Sequence, residues 1–240
     1  NEEMISSAEL SRAACCNLGE SFVTNPSVDV SYSDAATGAK QIKLLGLSGT
    51  YVQMLTENIP NYRGAASPYG LGYVSGPWMQ SIQVSKGISS VKNGYEAITG
   101  QINVEFKKPQ LLEADWVSAN LFASSTNRYE ANADATLKLS KRWSTSLLAH
   151  YENETKAHDG NDDGFVDIPQ VEQYNVWNRW AYMGDHYVFQ AGFKALSESR
   201  TSGQAHHTDM QTGDLYKVGI DTERYEFFTK NAYIFNKEKN

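Results

Sequence analysis

YEANADATLKL, residues 129–139, alternates without a break: Tyr129, Ala131, Ala133, Ala135, Leu137 and Leu139 are apolar, while Glu130, Asn132, Asp134, Thr136 and Lys138 are polar. Successive side chains of a β-strand point to opposite faces, so this period of two predicts a strand with one greasy side and one charged side. Two solvents fit such a strand. In water the apolar face packs on a second sheet, as in a sandwich. In a bilayer the apolar face turns outward to lipid and the polar face turns to a wet interior.

Outward from this stretch the same grammar holds. Val117, Ala119, Leu121 and Ala123 alternate with Ser118, Asn120 and Phe122. Thr145, Leu147, Ala149 and Tyr151 alternate with Ser146, Leu148 and His150. Tyr174, Val176, Trp180 and Tyr182 oppose Asn175, Trp177 and Arg179, and Tyr187, Phe189, Ala191, Phe193 and Ala195 oppose Val188, Gln190, Gly192 and Lys194. A sixth strand is expected near Tyr225–Phe235. Tight turns (SKRW, MGDH) alternate with long polar connections (NETKAHDGNDDGFVDIPQVEQ, and Ser197 to Arg224), the pattern of a membrane barrel with short turns on one side. Trp116, Tyr129, Trp143, Tyr151, Tyr174, Tyr182 and Tyr187 fall near strand ends, as an aromatic girdle does. Strands of about nine to eleven residues suit a tilted crossing.

Bulk composition agrees with either solvent. A chain of 240 residues with 40% hydrophobic and 20% charged residues reads as soluble, but alternating strands average out in any such sum. The formal net charge of -7 excludes a general nucleic-acid binder, which needs a basic face. There is no apolar run long enough for a transmembrane helix. NEEMISSAEL lacks the charged and apolar regions of a signal peptide, so the expectation is a cytoplasmic chain or a removed leader. Cys15 and Cys16 are adjacent, a spacing that strains a disulfide, and they say little about compartment.

Before Pro109 the elements are short and mixed. SSAELSRAACCNLGESF predicts a helix capped by Ser6 or Ser7, with Leu10, Ala14, Leu18 and Phe22 on one side. Strands are expected at Val28–Tyr32, Gln41–Leu45, Tyr51–Leu55, Ser81–Gly87 and Ile102–Phe106, with a short helix around Ser89–Ala97.

KQIKLLGLSGTYVQMLTENIP and MQSIQVSKGISSVKNGYEAITGQINVEFKKP resemble the plug domain of TonB-dependent outer-membrane receptors, in a style like those of Bacteroidetes. The second carries the Lys86-Gly87 pair, a YG-like Asn93-Gly94-Tyr95 and a GGVINV-like Gly100-Gln101-Ile102-Asn103-Val104. Leu45-Gly46 stands where the family has Arg-Gly, and Gln101 where it has a second glycine. The resemblance implies an α+β plug domain over residues 1–109, followed over 110–240 by about six N-terminal strands of an antiparallel transmembrane β-barrel. Such barrels close with more strands, so an N-terminal portion of a longer receptor is expected. The implied function is active uptake of a scarce nutrient across the bacterial outer membrane. Its cargo would be an iron complex, siderophore or haem, or another metal-containing cargo, with copper and cobalamin open. TonB would supply the energy through an N-terminal segment not evident here, and outer-membrane lipid would surround the barrel. No nucleic acid, no catalysis and no required cofactor are expected.

Four groups of side chains are candidates. Asn61, Tyr62, Arg63 and Tyr69, in NIPNYRGAASPYGLGY, are expected ligand contacts in a plug loop. Asp159, Asn161, Asp163, Phe165 and Asp167 match positions one to nine of a calcium loop with Gly164 at the turn, though position twelve is Gln170. His206, His207 and Met210 have the donor chemistry for copper, zinc or haem. Cys15, Cys16, Met54 and Met79 extend a soft-metal path only if the fold assembles them. No GxSxG, HExxH, phosphate loop or catalytic carboxylate pair occurs, which argues against an enzyme. The alternative from another class is a soluble or surface-attached β-sandwich module, calcium-dependent and glycan-binding. It requires the oily faces to be inside.

Overall fold

The computed structural model describes residues 2–12, 17–22, 25–26, 28–34, 36–47, 49–88, 94–206 and 213–235. Two compact units separate: Asn1–Lys107 with Ala157–Pro169 and Thr201–Val218, and Lys108–Lys156 with Gln170–Arg200 and Gly219–Asn240.

The first unit opens with β1 (Glu2–Ser6) and α1 (Ser7–Arg12), then β2 (Val28–Asp34), β3 (Ala39–Leu44), β4 (Val52–Thr56), β5 (Ile59–Pro60), β6 (Met79–Lys86) and β7 (Gly100–Phe106). Its sheet runs β1-β6-β7-β4-β5, with β4 and β7 parallel, and β2–β3 forms a separate hairpin. The Ser6 backbone N–H and hydroxyl both donate to the Glu9 carboxylate, at 2.8 and 2.9 Å, the reciprocal half of a capping box. The helix is shorter than its apolar spacing predicts. Leu18 and Phe22 are buried, but from a turn and a 3-10 segment (Glu20–Phe22) in which the Asn17 side chain accepts the Glu20 N–H at 3.2 Å. Turn chemistry at Asn17 and Gly19 thus overrides the helical spacing. Ala14, Cys15 and Cys16 lie outside the described residues. The helix expected around Ser89–Ala97 is not found where the structure describes it: Gly94–Ala97 is irregular, and 89–93, with Asn93, lie outside the described residues.

The core of this unit follows from register. Ile82 faces Val104 and Val84 faces Ile102 across β6–β7, and all four are fully buried. Each contributes about 1.5–3 kcal/mol by leaving water. Gly100 is required at the start of β7: a Cβ there would stand 2.2 Å from the Ser85 carbonyl oxygen and 2.5 Å from Leu44 Cδ2. Two-residue turns punctuate the strands. Glu57 and Asn58 both have positive φ (50° and 64°), as do Leu45 and Gly46 (56° and 80°), the type I′ geometry that suits hairpin twist. Asn103 explains itself here. Its Oδ1 accepts the Asn58 N–H at 2.8 Å, and its Nδ2 donates to Gln83 and Glu105 at 3.1 and 2.9 Å, so one buried amide ties β7 to the turn before β5.

The second unit is built on β8 (Trp116–Ala123), β9 (Tyr129–Lys138), β10 (Trp143–Glu154), β11 (Gln170–Met183), β12 (Tyr187–Gly203) and β13 (Lys217–Tyr233). They form one six-stranded meander, each strand beside its neighbour in sequence. The burial is the reverse of a water-soluble sheet. Glu130 is 3% exposed and Asp134 4%, whereas Leu121 is 80% and Phe227 72% exposed. A sandwich would put Leu121 inside and Glu130 out; the sandwich alternative fails on this inversion, which is the side assignment of a sheet facing lipid.

Aromatics band the outer face at two levels. Trp143 packs on Tyr182 at 5.1 Å, and Tyr151 on Tyr174 at 4.9 Å. Both are cross-strand partners of β10–β11, eight residues apart along each strand. At about 3.3 Å per residue and a tilt near 40° the bands are about 20 Å apart along the normal, close to the apolar belt of a barrel. Trp116 departs from the expectation: it lies in register with Thr136, on the polar side. The strands also outrun the alternation. β12 and β13 are 17 residues each, so the connection expected from Ser197 to Arg224 shrinks to 204–216. Where both faces of a strand are wet, the hydrophobic period disappears while the backbone pairing continues.

Candidate functional site

Of the expected ligand contacts, Asn61, Tyr62 and Arg63 line one cavity of about 370 Å³, with Met54, Ile42 and Glu96. Asn61 follows β5 and is fixed on every side. Its backbone N–H donates to the Met54 carbonyl at 3.0 Å, its Nδ2 to Thr56 Oγ1 at 3.2 Å, and its Oδ1 accepts the Tyr62 N–H at 2.8 Å. Tyr62, at φ 52° and 4% exposed, is held against Gly70, where a Cβ would come within 2.7 Å of Tyr62 Cβ, and lies 6.4 Å from the Tyr73 ring. Arg63 is the exposed member. Its Nε donates to Glu96 Oε1 at 2.8 Å and its second guanidinium nitrogen lies 2.7 Å from the same oxygen. That hydrogen bond and the Glu96 charge raise the guanidinium pKa further above its ordinary value. The arrangement sets a solvent-accessible ion pair on a rigid polar base. An anionic ligand can replace Glu96 on Arg63, and a hydroxyl-bearing ligand can donate to Glu96. Tyr69 is not among the side chains lining this cavity; it precedes the 3-10 segment Gly70–Tyr73. Glu96 was invisible to sequence reasoning, because 33 residues separate it from Arg63.

The calcium-like stretch is a chain of local turns. Asp159 Oδ1 and Oδ2 accept the backbone N–H groups of Asp163 and Gly164 at 3.2 and 2.8 Å. Asp163 Oδ1 accepts the Phe165 N–H at 2.8 Å and its Oδ2 accepts from Asn161 Nδ2 at 2.9 Å, while Asp167 Oδ2 accepts the Gly160 N–H at 2.6 Å. Among the described residues no three Asp, Glu, His or Cys side chains group closely enough to hold a metal ion. These bonds set the turns of the loop, and a carboxylate oxygen that accepts one amide keeps a second lone pair. Glu172, two residues beyond the twelfth position, instead accepts from the Tyr151 and Tyr174 hydroxyls at 3.3 and 3.0 Å.

The two long loops meet. Phe165 bridges Gln204, the Val166 N–H donates to the Gly203 carbonyl and the Ala205 N–H to the Gly164 carbonyl, both at 2.8 Å, and His206 Nδ1 stands 3.5 Å from Asp159 Oδ2. His207 and Met210 lie outside the described residues. Met54 lines the cavity above and Met79 is buried in the core, so no soft-metal path assembles among the described residues.

On the polar face of β8–β13 the buried charges are organised across strands. Glu130 and Glu152 are direct cross-strand partners, two acids opposed, and Arg128 bridges them: one guanidinium nitrogen is 2.5 Å from Glu130 Oε1 and Nε is 3.0 Å from Glu152 Oε1. His150 Nδ1 lies 2.8 Å from Asn132 Oδ1, Ser118 donates to Asp134 at 2.7 Å, and Gln173 donates to Glu198 at 2.7 Å. Only the polar side of the alternation hinted at these partners; register supplied them.

The chain matches the family model for the TonB-dependent receptor plug domain over residues 1–101. No curated protein matches. Among solved structures it is similar to FpvA of P. aeruginosa, bound to a pyoverdine–iron complex, at 14% identity over 99% of this chain and 32% of that one, with a TM-score of 0.76. It is similar to the siderophore receptor PirA of Acinetobacter baumannii at 16% identity over 83% of this chain and 32% of that one (TM-score 0.67). The copper transporter OprC matches at 15% identity, with 84% and 32% covered and a TM-score of 0.65. The chain thus spans about a third of the length of each of these three. Residues 1–101 thus match the TonB-dependent receptor plug domain, and the chain as a whole shares its fold with the opening third of these receptor structures.

Proposed function

We propose that this chain is part of an outer-membrane active transporter, with residues 1–109 as plug and 110–240 as the opening of the barrel. A scarce nutrient binds at the cavity lined by Asn61, Tyr62 and Arg63, with Tyr69 on the following loop as a further contact. TonB, acting on a segment ahead of the plug, supplies the energy, and the receptor carries out no covalent chemistry. The observation that carries this reading is the inverted burial of β8–β13 in a chain whose start matches the plug family. The cargo is an iron complex, siderophore or haem, or another metal-containing nutrient; the names of the similar structures, siderophore receptors and a copper transporter, support that class.

Calcium at 159–167 rests on the spacing of Asp159, Asn161, Asp163, Phe165 and Asp167; calorimetric titration of the full-length receptor with calcium, against Asp163→Ala, tests it. A soft-metal or haem contact at His206, with His207 and Met210, rests likewise on donor chemistry. The central test is a deletion strain grown on defined iron, haem, copper or cobalamin sources, with Arg63→Ala as the site variant. A growth defect confined to one metal source, reproduced by Arg63→Ala, supports the reading. Equal growth of mutant and parent on all of them, or recovery of the full-length protein without detergent, ends it.

A further inference from the structure

The charge pattern of the cavity that holds Arg63 narrows what can enter it. Arg63 and Glu96 are the two charged side chains that line it, and its other lining residues are polar or apolar. The formal charge of the lining is therefore zero, carried as one cation and one anion side by side. Both are reachable. Their side chains are 52% and 25% exposed, and neither makes another ion pair or side-chain hydrogen bond among the described residues. Glu96 spends one oxygen, Oε1, on two guanidinium nitrogens, at 2.8 and 2.7 Å, which leaves Oε2 to a ligand. A guanidinium carries N–H donors on more than one edge, and Glu96 occupies the edge that includes Nε. Each charge thus keeps an open side while the pair stays intact.

The remaining lining supplies a body for such a ligand to rest on. Ile42, Val52 and Leu71 are buried apolar residues, and Met54 lines the cavity with them. The side chains of Gln41 and Ser67 also line it and make no hydrogen bond among the described residues. At about 370 Å³ the cavity lies near the low end of small-molecule sites, which run from about 300 to 1,000 Å³. It has the room of about a dozen waters, enough for an amino acid and too little to enclose a porphyrin.

We propose that this cavity binds a zwitterion, an α-amino carboxylate with an apolar side chain, an inference that deepens the reading of the cavity as the nutrient site. The carboxylate takes the open edge of Arg63, the ammonium takes Glu96, and the apolar side chain covers Ile42, Val52 and Leu71. Both polar contacts are charge-assisted hydrogen bonds. Electrostatics selects this class over its relatives. A pure anion gains Arg63 but stands beside the Glu96 charge, and a pure cation gains Glu96 but stands beside Arg63. A ligand with both signs leaves no charge facing its like, so the pair rejects either half of the molecule on its own. The metal complex of the transporter reading then presents an amino-acid end to the plug.

The test is titration of the full-length receptor in detergent, followed by saturation-transfer NMR, with three probes that share one hydrocarbon body. They are leucine, isocaproate, which lacks the ammonium, and isoamylamine, which lacks the carboxylate. Wild type should bind leucine about tenfold more tightly than either analogue, and Arg63→Gln should remove that advantage. Glu96→Gln should weaken leucine about tenfold while tightening isocaproate, so that the two ligands move in opposite directions. Arg63→Lys, which keeps the charge, should keep the preference for leucine, and thermal unfolding of each variant reports an intact fold. Leucine that fails to bind wild type at millimolar concentration, or binds no more tightly than isocaproate, overturns the inference. So does a folded Glu96→Gln variant in which both ligands weaken together. Any of these results leaves the transporter reading standing, because growth on defined metal sources and detergent extraction test that reading separately. Leucine bound as proposed by a receptor that fails those two tests keeps the zwitterion site and removes the transporter reading.

Discussion

Arg128 offers the sharpest test of how the sheet tolerates its buried acids. Glu130 and Glu152 sit directly opposite each other on β9 and β10, and the Glu130 side chain is almost fully buried. Cross-strand partners bring Cβ atoms within about 5 Å, and like charges there are destabilising. With Arg128→Gln the two carboxylates face each other with one bridging charge gone. Two unit charges about 6 Å apart at an effective dielectric of about 20 repel by about 3 kcal/mol. That is the low end of the roughly 3–5 kcal/mol measured when one partner of a buried ion pair is removed. The assay is hydrogen exchange by mass spectrometry on the full-length receptor, following peptides from 129–138 and 143–154. If opening of this strand pair governs exchange, about 3 kcal/mol speeds it about 150-fold. The double variant Arg128→Gln/Glu130→Gln removes the opposed charge and should recover most of that protection. Exchange within about twofold of wild type in the single variant, an effect under about 0.5 kcal/mol, refutes the reasoning. So does a double variant that exchanges as fast as the single one.

Other consequences are separable. Gly100→Ala forces a Cβ into the Ser85 carbonyl and should open the β6–β7 pairing to protease, at a cost of about 3 kcal/mol or more; Gly87→Ala, at φ 94° with nothing within 4 Å, should cost only about 1–2 kcal/mol of backbone strain. Glu96→Gln should leave thermal stability almost unchanged, because the Arg63–Glu96 pair is partly solvated, while tightening binding of an anionic ligand in a fluorescence titration. The Thr37 hydroxyl and then the Ala36 N–H hold the Asp34 carboxyl below its ordinary pKa. The turn after β2 is therefore firmest above the ordinary carboxylate pKa and loosens as pH falls through the lowered one. Carbon-detected NMR titration should show Asp34 in Thr37→Val returning toward the ordinary value, and an unmoved titration counts against the hydrogen bond.

The alternation of residues 129–139 determined the strands and their two faces, because side-chain period is a property of the backbone alone. Glycines and turn residues marked Leu45-Gly46 and Glu57-Asn58 as punctuation, since few residues accept positive φ. The plug-like motifs reached, from local sequence, the domain model that residues 1–101 match. What sequence left open was everything set by distance. Nothing in Arg63 names Glu96, nothing in Asn103 names Asn58, and nothing in Glu130 names Glu152 or Arg128. The helix expected through Phe22 gave way to turn chemistry at Asn17. Local pattern fixes which way a side chain points; only the register of strands far apart in the chain decides what it meets, and the energy of a buried charge depends on that meeting.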